Sequence, residues 1–258
     1  MMSTVRYGFF LVSCLLVANF GHAASAKSDA VYKDIEFTRL SDRVWMHTSY
    51  KTVGKWGRVP ANGLIVLGEE RVTLVDTAWD NEQTEFILEW TQNKLKRDIT
   101  HAVFTHAHSD KMGGVAALHK HNVQTWASAL SNKLAPSHDL EPAKFELAFN
   151  AQNLSEDLSP FVVLYPGAGH THDNIVVYLP AEKIIYGGCL IRPGNSISLG
   201  NTRDGDVLAW ANTVETVADN FPDAKQVIPT HGAPGSRKLL SHTIDLAHKH
   251  NQKITETK

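Results

Sequence analysis

Apolar positions along the chain follow two rhythms, and each change of rhythm marks an element. The runs "IEFTRL" (35–40), "RVWMHTSY" (43–50), "GLIVLG" (63–68) and "RVTLVDTAW" (71–79) are β-branched or aromatic and separated by turn residues, which predicts four strands. The stretch "KTVGKWGRVPANG" (51–63) predicts a Gly-rich loop carrying an isolated Trp56. From Asp80 the period becomes helical: "DNEQTEFILEWTQNKLK" sets Phe86, Ile87 and Trp90 on one face, with Asp80 placed to cap it. A buried-looking strand "ITHAVFTH" (99–106), a helix "KMGGVAALHKH" (111–121) and a strand "NVQTWAS" (122–128) follow, whereas residues 131–160 are polar and show no usable period. Three further strands are expected in "FVVLYPG" (161–167), "NIVVYLP" (174–180) and "KIIYGG" (183–188). Then come an amphipathic helix at 204–221 through Val207, Ala211, Val214, Val217 and Phe221, a short strand "QVIPT" (226–230) and a closing helix at 236–250.

Strands and helices thus recur in two similar halves with no Pro/Ser-rich linker, which predicts one α/β domain with two sheets inside and helices outside. Across 258 residues, 43% hydrophobic and 20% charged residues suit a globular chain with a substantial core. A formal charge of −2 and the absence of any Lys/Arg-rich run argue against nucleic acid or an anionic membrane surface as partner.

The N-terminus stands apart. Arg6 is followed by an apolar run from Tyr7 to Phe20 and then by Ala24-Ser25-Ala26, an A-x-A cleavage pattern. Residues 1–26 therefore read as a secretory signal peptide that delivers residues 27–258 to the periplasm, the run being short for a membrane span. A lipoprotein cleavage box at Leu11–Cys14 is the minor alternative. Removing residues 1–26 takes away one cation and no anion, moving the charge from −2 to −3, and leaves Cys189 as the one cysteine of the mature chain. An exported thiol with no disulfide partner calls for another occupant.

The chemistry collects where apolar strands end. His106, His108 and Asp110 follow "AVFT", His170 follows "VVLYPGAG", Cys189 follows "IIYGG" and His231 follows "QVIPT". Rigid strand ends opening into loops are where α/β proteins place functional side chains. Imidazole, carboxylate and thiolate are ligands that zinc accepts. Extended backbone would aim His106 and His108 the same way, and three histidines with a water would complete a tetrahedral site. Asp110, Cys189 and His231 would supply a second site. Gly113-Gly114 and Gly187-Gly188 would allow close backbone approach or positive φ.

In this order, "HAHSDKMGG" (106–114), "GHTHDN" (169–174), "GGCL" (187–190) and "PTHG" (229–232) resemble the metallo-β-lactamases of subclass B1, a likeness running from about Val44 to the C-terminal helix and including "LVDTAW" and "GNTRDGD" (200–206). The resemblance implies an αββα sandwich, two central mixed sheets with helices on both outer faces, and a shallow groove holding two zinc ions. It implies that His106, His108 and His170 bind the first ion and Asp110, Cys189 and His231 the second. Asn201 would polarise the lactam carbonyl, Arg192 would hold the substrate carboxylate, Trp56 would lie in a flap over the groove, and Asp110 would orient the nucleophile. The activity implied is a monomeric, periplasmic, zinc-dependent β-lactamase that opens penicillins, cephalosporins and carbapenems with a metal-activated hydroxide and confers antibiotic resistance. Lys111 stands where many relatives carry Arg, Thr230 where Gly is usual, and Arg192 where Lys is usual. The same fold hosts hydrolases of lactones and thioesters, and these usually place a histidine at the position of Lys111. A lactone or thioester hydrolase, and a non-catalytic zinc-binding protein, are the alternative readings.

Overall fold

The computed structural model describes residues 30–256; the expected signal peptide and the Cys14 alternative lie outside the described residues. The first sheet runs in chain order through β1 (Ala30–Tyr32), β2 (Ile35–Arg39), β3 (Val44–Thr52), β4 (Arg58–Leu67), β5 (Val72–Val75), β6 (His101–Val103), β7 (Gln124–Ala127) and β8 (Phe145–Glu146). It is antiparallel up to β5 and parallel from there on. The second sheet contains β9 (Leu154–Ser155), β10 (Val162–Leu164), β11 (Val176–Leu179), β12 (Ile184–Gly188) and β13 (Gln226–Pro229), in the order β13-β12-β11-β10-β9. Only β12 and β13 pair in parallel there. The expected α/β architecture with two mixed sheets is what forms.

Strand alternation assigns each side chain to a layer. Val44, Met46, Leu64, Val66, Val75 and Val103 turn inward to meet Val163, Val177, Leu179, Ile184, Tyr186 and Ile228 of the other sheet. Their neighbours Trp45, Ile65, Leu74 and Ala102 turn outward against α1 (Asn81–Trp90) and α3 (Val115–Lys120). Val176, Tyr178, Ile185 and Val227 likewise meet α5 (Trp210–Asn220) and α6 (Lys238–Glu256). Both faces of each sheet are therefore dry at its centre, which is why the strand sequences read as continuous apolar runs. Each Val, Leu or Ile buried this way stabilises the fold by about 1.5–3 kcal/mol. Phe37 of β2 stacks face to face on Trp90 of α1, centroids 3.8 Å apart, fixing helix to sheet.

Several expected boundaries shift. The stretch 51–63 is mostly strand: β3 and β4 stay paired out to Thr52↔Arg58, leaving only Val53–Gly57, with a 3-10 turn at Gly54–Trp56. Gly54 (φ 41°) and Gly57 (φ 69°) close that turn. Apolar period reports side-chain burial, and a protruding hairpin pairs its backbone without it. β5 stops at Val75 because Asp76 takes φ 61° and leaves the pleat. The helix expected at 111–121 breaks into α2 (Ser109–Met112) and α3, since a Cβ at Gly113 would strike the Trp79 carbonyl and one at Gly114 the Thr84 side chain. The helix expected at 204–221 starts only at Trp210; the Asp206 carboxylate accepts the N–H groups of Leu208 and Ala209 and holds a turn ahead of it. Asp80 does cap α1, accepting from Gln83 N at 2.9 Å. Residues 131–160 contain the end of α4 (Ala129–Leu134), a 3-10 turn at Ala135–His138, and the short β8 and β9.

His47, fully buried in β3, reaches only the Asp76 carbonyl, at 3.2 Å through Nε2. Burial pushes its pKa down to about 3, so the folded state holds it neutral. The unfolded imidazole takes its proton near pH 6.5, so this contribution is complete above pH 6.5 and is lost as pH falls from there towards 3. His47→Asn should make unfolding stability fall less steeply over that window, by up to about 1.4 kcal/mol per pH unit. Urea midpoints of both proteins at neutral and acidic pH test this, and parallel curves contradict it.

Candidate metal centre

Backbone amides released from pairing shape the loop that carries the first donors. β6 ends at Val103, and beyond Phe104, whose N–H still donates to the Trp126 carbonyl, two N–H groups go to carboxylates: Thr105 N donates to Asp76 Oδ1 at 2.7 Å and Ala107 N to Asp173 Oδ2 at 2.8 Å. The "HAHSD" stretch is therefore a bend into α2, not the extended strand expected, with His108 extended at the helix N-terminus. Convergence of the two histidines comes from that bend: His106 Nε2 and His108 Nδ1 lie 3.1 Å apart.

The other donors arrive at the same place. The His170 ring sits 5.0 Å from that of His106 and 5.4 Å from that of His108. Cys189 Sγ lies 3.2 Å from Asp110 Oδ2 and 3.4 Å from His231 Nε2, and His231 Nε2 lies 3.4 Å from Asp110 Oδ2. All six residues named from the sequence thus converge. Within them, His106–His108–Asp110, His106–His170–Cys189 and Asp110–Cys189–His231 each bring one donor atom per residue to within 4.8 Å of the others. Ligands around a tetrahedral zinc lie roughly 3.3–3.8 Å from one another for bonds of about 2.0–2.3 Å, so the spacing fits a small cation.

Protonation states agree. Burial holds the imidazoles of His106, His170 and His231 below their ordinary pKa, hence neutral as ligands must be. His231 Nδ1 donates to the Pro60 carbonyl at 2.6 Å, leaving Nε2 as the lone pair facing the cluster. His108 Nε2 meets Asp204 Oδ2 at 3.0 Å, which turns Nδ1 inward. Burial and the Asp110 carboxylate push the Cys189 thiol up, so it ionises only against a cation. Burial opposes the charge on Asp110, but the Lys111 ammonium holds its carboxyl well below the usual range.

Lys111 is the hub beneath the donors. Fully buried, its Nζ lies 3.2 Å from Asp110 Oδ2 and 3.5 Å from Asp76 Oδ2. Burial works against its charge, yet Asp110 and its other neighbours keep it well above the ordinary lysine range. Asp76 also accepts from Thr105 Oγ1 and Tyr186 OH, both at 2.8 Å, and burial raises its pKa to about 6. Thr230, another departure from the resemblance, donates its N–H to Gly188 O and accepts from Asn62 N, so the strand delivering His231 stays in register.

The donors open into a groove of about 500 Å³ that is also lined by Trp56, Arg58, Trp79, His138, Arg192, Asn201 and Asp204. Trp56 is 54% exposed on the hairpin tip. Trp79 stacks beside His231 with centroids 6.2 Å apart. Asn201 Oδ1 accepts from Arg203 N at 3.3 Å, and among the described residues its amide N–H₂ has no acceptor. Among the described residues, the Arg192 Nε is buried without a partner and its Nη2 meets Ser196 Oγ alone, at 3.4 Å. The sequence reading missed Asp204, Trp79 and His138. Asp204 stands inside the quoted "GNTRDGD", but spacing alone does not tell a carboxylate that orients a ligand from one that faces water.

Comparison with known proteins agrees with this geometry. A profile described as Metallo-beta-lactamase superfamily matches residues 56–231. The metallo-beta-lactamase type 2 of Bacteroides fragilis is 36% identical over 250 residues, 96% of this chain and 97% of that protein. A crystal structure of the metallo-beta-lactamase FIM-1 from Pseudomonas aeruginosa, in a mono-zinc form, superposes with a TM-score of 0.82 at 50% identity, covering 84% of this chain and 96% of that one. A metallo-beta-lactamase from Erythrobacter litoralis superposes at 0.83 with 43% identity, over 85% and 99% of the two chains.

Proposed function

This chain belongs to the metallo-beta-lactamase superfamily, and from that premise we propose how its groove opens a β-lactam ring. The enzyme is a zinc-dependent β-lactam hydrolase; the residue roles, the number of ions and the substrate range are the proposal. When bound, zinc supplies a Lewis acid and lowers the pKa of water that it coordinates to about 7. His106, His108 and His170 would hold one ion and Asp110, Cys189 and His231 another. The observation that supports a metal centre here is the convergence of these six donors, with inward-facing nitrogens set by Asp204 and Pro60, and the division between two ions follows the family resemblance.

The chain's own groups do the rest. Asp110, kept ionised by Lys111, can orient a water, accept its proton as the water oxygen bonds to the carbonyl carbon, and return that proton to the lactam nitrogen as the C–N bond breaks. The free N–H₂ of Asn201 donates to the carbonyl oxygen as negative charge develops there. Arg192, whose donors lack an anionic partner, binds the carboxylate common to penicillins, cephalosporins and carbapenems. Trp56 and Trp79 cover the bound ring with apolar surface. All six donors come from one chain, so the site is complete in a monomer. The charged anchor at Arg192 and the presence of Lys111 in place of a further histidine favour a lactam over a lactone or thioester.

Hydrolysis of a penicillin, a cephalosporin and a carbapenem, beside an ester and a thioester, tests the substrate range; turnover confined to the esters would overturn it. Arg192→Ala should raise KM for carboxylate-bearing lactams about tenfold to a hundredfold, the equivalent of about 1.5–3 kcal/mol. An unchanged KM contradicts the assignment of Arg192.

A further inference from the structure

Arg58 opens β4 and lines the groove, yet the chemistry above makes no use of it. Its guanidinium carbon lies 3.8 Å from the centre of the Tyr50 ring, across the β3–β4 hairpin. That ring is itself held by a 2.7 Å hydrogen bond from its hydroxyl to Glu36 Oε1. A guanidinium in contact with a ring face is fixed in place without using its N–H donors. Among the described residues, no carboxylate or carbonyl accepts from it. The other guanidinium of the groove, Arg192, comes from the loop beyond Cys189, its head resting against Gly200 and Ser196. The two carboxylates of the lining are committed, Asp110 to Lys111 at 3.2 Å and Asp204 to His108 at 3.0 Å. The groove thus offers two unpaired cations, one from the β3–β4 hairpin and one from the loop after Cys189, and a substrate with one carboxylate occupies one of them.

We infer that Arg58 is a specificity-determining residue that recognises a second anionic group, carried on the acyl side chain of the substrate, so that the enzyme favours dianionic over monoanionic β-lactams. This rests on the groove being the lactam site with Arg192 at the ring carboxylate. Charge supplies the preference: an exposed guanidinium stacked on a ring gains little from a neutral side chain and more from a carboxylate placed within reach of its fork.

Benzylpenicillin and its α-carboxy derivative differ by this one group and form the test. Steady-state kinetics of the zinc-loaded wild type, Arg58→Ala and Arg58→Lys with each penicillin should show a KM for the dianion raised about fivefold by Arg58→Ala. Its kcat and the constants for benzylpenicillin should stay unchanged, Arg58→Lys should restore part of the loss, and high salt should erode the wild-type preference. Equal changes for both penicillins, or none for the dianion, would overturn the inference. If both penicillins are turned over and Arg192→Ala raises both KM values, that failure falls on Arg58 alone. A wild type that turns over neither penicillin removes the site assignment, and this inference with it.

Discussion

Stripping the metal with a strong chelator should reduce β-lactam hydrolysis by about a thousandfold or more, and added zinc should restore it. The size follows from the several kcal/mol that a Lewis acid contributes at a carbonyl, with each tenfold in rate worth about 1.4 kcal/mol. Cys189→Ser refines the test. The thiol sits 3.2 Å from Asp110 and 3.4 Å from His231, whereas His106 and His108 meet each other at 3.1 Å. If the proposed division holds, replacing sulfur by a harder, poorly ionising hydroxyl should weaken an ion at Asp110–Cys189–His231 far more than one at the three histidines. Zinc titration of the variant should then retain one tight ion and lose the second. Equal weakening of both would refute the division of ligands, and full turnover by metal-free enzyme would refute the zinc chemistry.

The second large effect lies beneath the site. Asp76→Ala should destabilise the fold by about 3–5 kcal/mol, because among the described residues it leaves buried Lys111 with Asp110 as its one carboxylate and strips both Thr105 donors of their acceptor, while Tyr186 OH keeps only the Asn62 carbonyl. Set against a typical domain stability of about 5–15 kcal/mol, that is a large share. Asp76→Asn, which keeps the shape and one acceptor, should cost less. Denaturant unfolding of the metal-free proteins measures both, and an Asp76→Ala midpoint close to wild type would show that the network contributes little. In the zinc-loaded protein, the same variant should bind metal less tightly, since Lys111 no longer has its second anchor and Asp110 loses its fixed position.

The six donors were legible because each sits just past an apolar strand, and because so many metal-ligating types at strand ends have no other common purpose. Asp80 as a helix cap and the apolar, sheet-facing sides of α1 and α5 were legible for a similar reason: a local pattern has a local physical cause. The hairpin arms at 51–52 and 58–60 were not, since paired strands that are not buried leave no apolar period. Nor were the starts of α3 and α5, which the close approach of Gly113 to Trp79 and the Asp206 turn decide.

The sequence by itself therefore settled the alternation that makes two sheets with dry faces, and it named the six side chains whose donor atoms converge and the arginine set among them, since residue type and period are properties of the chain. Which nitrogen each histidine turns inward, that Lys111 is neutralised by two carboxylates, and that Arg58 and Arg192 share one groove were decided only by tertiary structure. Each of those facts depends on a partner far off along the chain, Pro60 for His231, Asp204 for His108 and Asp76 for Lys111, and no local pattern records which distant groups the packed sheets bring within 3 or 4 Å of one another.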